Sequence, residues 1–126
     1  MAAVALNTFK TIRHNLTTST VGIYTAPIGV ASIIVSAQIA NVSTGTTTYL
    51  STFSHYRSDG GEFDLVKNAG IPVKDALSPL AGRLVLETDD EIRVSANENG
   101  VLQLTMSVLE TAKGWFKNAV HIRKKN

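Results

Sequence analysis

The sequence predicts an all-β fold: an antiparallel β-sandwich, jelly-roll or Ig-like, of about eight strands. Three observations carry that expectation. Hydropathy alternates with a period of two along several runs, turn-forming residues punctuate the chain about every 8–12 residues, and no helical pattern precedes residue 110. A chain of 126 residues makes one domain and buries roughly two thirds of its unfolded surface, so its core needs neither disulfide nor metal. Charged residues are only 17% of the chain, which leaves Ser, Thr and Asn to cover the surface, and β-branched Thr suits a strand face.

Taken in order, strands are expected over residues 8–16, 21–25, 31–40, 46–56, 62–67, 83–87, 91–95 and 101–109. The clearest is 31–40, where Ala31, Ile33, Val35, Ala37 and Ile39 alternate with Ser32, Ile34, Ser36, Gln38 and Ala40; the odd face is expected to point inward. Residues 101–109 place Leu102, Leu104, Met106 and Val108 on one face, and residues 91–95 do the same with Ile92 and Val94. In 83–87, Leu84 and Leu86 share a side. The alternation in 46–56 does not decide which face is inside. The turns are Ala26-Pro27-Ile28-Gly29, Ser43-Thr44-Gly45, Ser58-Asp59-Gly60-Gly61, Thr88-Asp89-Asp90 and Asn97-Glu98-Asn99-Gly100. Asn99-Gly100 tolerates positive φ and predicts a hairpin that pairs the last two body strands. Residues 75–80 are compatible with one helical turn.

The net charge of +2 conceals an asymmetry. Residues 1–112 carry seven basic and ten acidic side chains, whereas residues 113–126 carry five basic and no acidic ones. The chain therefore divides into a mildly acidic β-sandwich domain, 1–112, and a basic C-terminal arm or short helix, 113–126. The body offers no argument for nucleic-acid binding. No apolar run reaches the roughly 18–20 residues of a membrane helix, the zone 28–42 being broken by Ser32, Ser36 and Gln38, and residues 1–6 lack the basic start of a secretion signal. No membrane partner is expected.

Beyond Gly114 come the single tryptophan, Trp115, and Phe116, then Val120 and Ile122 interleaved with Lys117 and Arg123, ending in Lys124 and Lys125. A Trp-Phe pair buries large area against something, and basic residues beside it compose an interface anchor for an acidic partner. Trp115, Phe116, Val120 and Ile122 are the expected anchor, and Lys117, Arg123, Lys124 and Lys125 its rim charges. The acidic body of a neighbouring copy would serve as partner, as would another protein.

Local catalytic chemistry is not written in the chain. Cys is absent, His14, His55 and His121 are isolated, and Gly60-Gly61 is not followed by the Lys and helix of a phosphate loop. Glu87, Asp89, Asp90 and Glu91 bunch at one turn without the ligand spacing of a calcium loop and read as a solvated turn. No cofactor, metal site or enzyme activity is expected.

The run 8–27, ending Val21-Gly22-Ile23-Tyr24-Thr25-Ala26-Pro27, followed by 31–42 and then by Leu84-Val85-Leu86-Glu87 and Asp90-Glu91-Ile92-Arg93-Val94-Ser95-Ala96, resembles small virion structural proteins of tailed bacteriophages, especially cyanophages. The likeness covers most of residues 8–110. It implies a β-sandwich used in particle assembly: a capsid decoration or cement protein that forms a homo-oligomer and binds a major capsid or tail protein. A tail, neck or baseplate and fibre-adaptor component is the alternative within that class. A carbohydrate-binding receptor-recognition module is another, with Tyr24, Tyr49, Tyr56 and Trp115 as stacking residues.

Overall fold

A computed structural model describes residues 7–112. They form nine strands: β1 (Asn7–Asn15), β2 (Val21–Thr25), β3 (Val30–Asn41), β4 (Tyr49–Arg57), β5 (Gly61–Ile71), β6 (Ala76–Leu77), β7 (Leu84–Leu86), β8 (Glu91–Ala96) and β9 (Leu102–Ala112). One sheet runs β1-β9-β3, with β6 and β7 both pairing along the free edge of β3; the other runs β2-β8-β4-β5, and every pairing is antiparallel. Counting β6 and β7 as two pieces of one edge, consecutive strands alternate between sheets except β4 and β5, which pair as neighbours in one sheet, and this is the order of a jelly roll. The all-β sandwich is thus the one expected, and of its two candidate topologies the chain adopts the jelly roll.

The core is the layer between the sheets. Leu102, Leu104, Met106 and Val108 of β9 face Ile92, Val94 and Ala96 of β8 across it, with Phe53, Ile34, Ile39 and Leu86 filling the remainder. The inward faces expected for 91–95 and 101–109 are those observed.

Four details differ from expectation. First, β8 and β9 do not form a hairpin: they lie in different sheets. Gly100 does take positive φ (75°), but its N–H bonds to Leu16 O, and the Thr18 N–H donates to Asn99 Oδ1. Asn97 meanwhile exchanges bonds with Leu50, donating its N–H to the Leu50 carbonyl and accepting the Leu50 N–H at Oδ1. One end of the connection is tied to β4 and the other to the β1–β2 link, so it arches from sheet to sheet. Alternation is satisfied by either arrangement, since both bury the same faces.

Second, the odd face of β3 is not inward throughout. An extra residue bulges at Ile34/Ser36, so Ser32 and Ile34 are buried before it and Ala37, Ile39 and Asn41 after it. Third, residues 76–77 pair with Ile39 and Ala40 rather than joining a helical turn, because Ser78 precedes Pro79 and is pushed out of the α region. Fourth, the acidic turn is not solvated throughout, as described below. In β4, undecided from sequence, Ser51 and Phe53 are buried on the core side.

Candidate interaction surface

Trp115, Phe116, Lys117, Val120, Ile122, Arg123, Lys124 and Lys125, and with them the whole expected arm 113–126, lie outside the described residues. The body, however, shows where an apolar partner could sit. On the outer face of the five-stranded sheet, Phe9 opposes Leu109, Leu109 opposes Ile33, and Ile33 opposes Val85. Directly opposed residues project to the same side, so these four form one continuous apolar row across β1, β9, β3 and β7. Three strand spacings of about 4.8 Å make the row about 14 Å long. Its ends are open, with Phe9 72% and Val85 61% exposed, and Ile28 is exposed in the loop before Val30 at the same end of the sheet.

The outer face of the other sheet is polar. Arg93 stacks over the Tyr56 ring at 3.5 Å and reaches Glu91 (2.9 Å) and Glu62 (3.6 Å), which raise its pKa further, the Glu91 hydrogen bond first.

The end of β4 and the turn before β8 meet at Asp90, which is 1% exposed. Its carboxylate accepts Arg57 Nε (2.9 Å) and Nη2 (2.8 Å), the Glu87 N–H (2.9 Å) and a 2.8 Å contact from His55 Nε2. The Arg57 hydrogen bonds above all, against the cost of burial, hold this carboxyl well below the usual carboxylate range. An exposed Gly-rich depression of about 240 Å³ borders the pair, lined by His55, Arg57, Gly60, Gly61 and Phe63. Of the bunched acids, Asp90 is therefore a buried structural pin while Glu87 and Asp89 stay exposed.

A second polar cluster closes the layer near the C-terminal end of β9. Glu110, buried, accepts a hydrogen bond from the Tyr24 hydroxyl and pairs with Lys10 Nζ (3.3 Å), and Tyr24 also meets Ser32 Oγ (2.9 Å). Burial first, then the bond to Glu110, pushes the Tyr24 phenol up to about 12. Because the folded phenol keeps its proton beyond the free value near 10, its contribution to stability is full below about pH 10 and is lost as pH rises through 12. Alkaline absorbance titration is expected to show one tyrosine ionising last, and the Tyr24→Phe variant to lack that component.

The tyrosines weighed for sugar stacking do not share a platform. Tyr24 spends its hydroxyl inside, Tyr49 packs against the core and Tyr56 lies under Arg93. Among the described residues, no group of three or more His, Cys, Asp or Glu could hold a metal ion, and no helix is long and apolar enough to cross a membrane.

Sequence reasoning missed the row on β1, β9, β3 and β7. A signal existed: residues 33–35 are apolar on both faces of their strand, which a strand with one solvated face does not need.

Fold and surface together define an antiparallel jelly-roll sandwich with an apolar row across the outer face of one sheet and a charged cluster on the outer face of the other. No family model matches this chain, and no curated protein matches it. The solved structures that resemble this chain include two. One is a chain from the Bacillus endospore appendages, described as a novel family of disulfide-linked pili: TM-score 0.53 and 11% identity, over 89% of this chain and 96% of that one. The other comes from the Gt strain of infectious bursal disease virus: TM-score 0.42 and 12% identity, over 86% of this chain and 34% of that one.

Proposed function

We propose that this chain is a non-enzymatic structural subunit of a tailed-phage virion, a capsid decoration or cement protein that joins copies of itself and the particle through flat sheet faces and its C-terminal segment. The observation that carries the reading is the exposed Phe9–Leu109–Ile33–Val85 row: contiguous apolar surface on a sheet face is an attachment surface. The resemblance of residues 8–110 to virion proteins supports it. So does the shared fold with a chain from an appendage described as a pilus, a repetitive assembly. A jelly roll without cofactor demands suits a part present in many copies.

Quantitative mass spectrometry of purified particles tests the reading. A decoration protein is expected in hundreds of copies that label the head in immunogold micrographs. A few copies on the tail would favour the neck or baseplate role, and absence from particles would sink both.

A further inference from the structure

The apolar row has a matching segment in the same chain. We infer that residues 113–126 of one copy dock on the Phe9–Leu109–Ile33–Val85 row of a second copy, with Trp115 and Phe116 on the row and the basic residues beside Glu87 and Asp89. This deepens the assembly reading above by naming the contact through which copies join.

Three observations support the pairing. Charge is complementary: the segment carries five basic and no acidic residues, the body seven basic and ten acidic. Glu87 and Asp89, both exposed, lie just past the β7 end of the row, where the basic side chains would border it. The third is reach. β9 ends at Ala112, three residues beyond Leu109, or about 10 Å along the strand. A chain that reversed over residues 113–114 and ran back along its own sheet would set Trp115 opposite Ala112, Phe116 opposite Thr111 and Lys117 opposite Glu110. The level of Leu109 would then meet Asn118, so the aromatic pair falls short of its own row. Fourteen residues extended reach about 50 Å, ample for a neighbouring copy, where no such limit applies.

Trp115 is the only tryptophan, so its emission in the full chain reports the docking directly. The expected result is emission that shifts to the blue with rising protein concentration, in step with mass from light scattering. Phe9→Arg and Val85→Arg, both at exposed positions, are expected to raise the midpoint of that transition by at least about tenfold. Phe63→Arg, equally exposed but on β5 of the other sheet, should leave it in place. Circular dichroism of each variant checks that the fold is kept. Blue emission at every concentration from a species of monomer mass would mean docking within one copy and overturn the inference, whereas the same emission from an oligomer that both row variants dissociate would support it. Red emission at every concentration would overturn it too, as would a transition that both row variants leave unmoved. These three outcomes bear on the contact between copies, whereas presence in the particle stands or falls separately on the copy number in particles.

Discussion

The Asp90→Asn variant is expected to unfold about 10 °C below the parent, a loss of about 2–3 kcal/mol. Asp90 is buried at the point where the chain crosses from β7 in one sheet to β8 in the other, and four hydrogen bonds converge on its carboxylate. Asn offers one acceptor oxygen and places an NH₂ group against Arg57 or His55, where a donor is already aimed. The loss stays below that of a fully enclosed ion pair because the Arg57 side chain is 38% exposed and can recover water. Acid titration of stability provides a second check. The folded carboxyl stays ionised well below the usual range, whereas the unfolded one takes up its proton near 4. Stability from this site is therefore complete above about pH 5 and declines as pH falls toward the folded value. In Asp90→Asn that part of the acid slope is expected to vanish; an unchanged slope would show that Asp90 is not the pin described.

Phe53→Ala is the larger loss, at about 3–5 kcal/mol. Among the described residues Phe53 is the largest fully buried side chain, at the centre of β4 between β8 and β5, with register shifts against β5 on both sides of it. Those bulges fix the local backbone, so the layer cannot collapse into the void and the cavity cost is added to the transfer cost. Since domains of this size are stable by only about 5–15 kcal/mol, the variant should populate unfolded chain near physiological temperature. Phe63→Ala serves as the contrast: one strand away but 69% exposed, it is expected to change stability by no more than about 0.5 kcal/mol. Urea unfolding of the pair separates the two, and equal losses would contradict the placement of β4.

Phe53 and Phe63 also mark the limit of what a sequence conveys. Both sit in apolar-polar patterns that fit a strand with either face inside, and what separates them is place in the sheet: Phe53 lies on β4 between β8 and β5, whereas Phe63 lies on the edge strand β5, opposite His55. Likewise Asp90 is one of four acids bunched at a turn; that it alone is buried depends on Arg57 and His55 arriving from a strand 33 and 35 residues away.

What the sequence determined by itself is local. Period-two alternation placed eight strands close to their observed bounds, identified the inward residues of β8 and β9, and put Gly100 at positive φ. Those properties follow from neighbours one or two residues apart. Tertiary structure alone decided which strands pair. An arch between sheets and a hairpin bury the same faces of β8 and β9, and the choice rests on bonds from Asn97 to Leu50 and from Gly100 to Leu16, far apart in the chain. The apolar row arises for the same reason: Phe9, Ile33, Val85 and Leu109 become one surface only when β1, β9, β3 and β7 align. Register across a sheet is a long-range property, and the alternation within any single strand does not encode it.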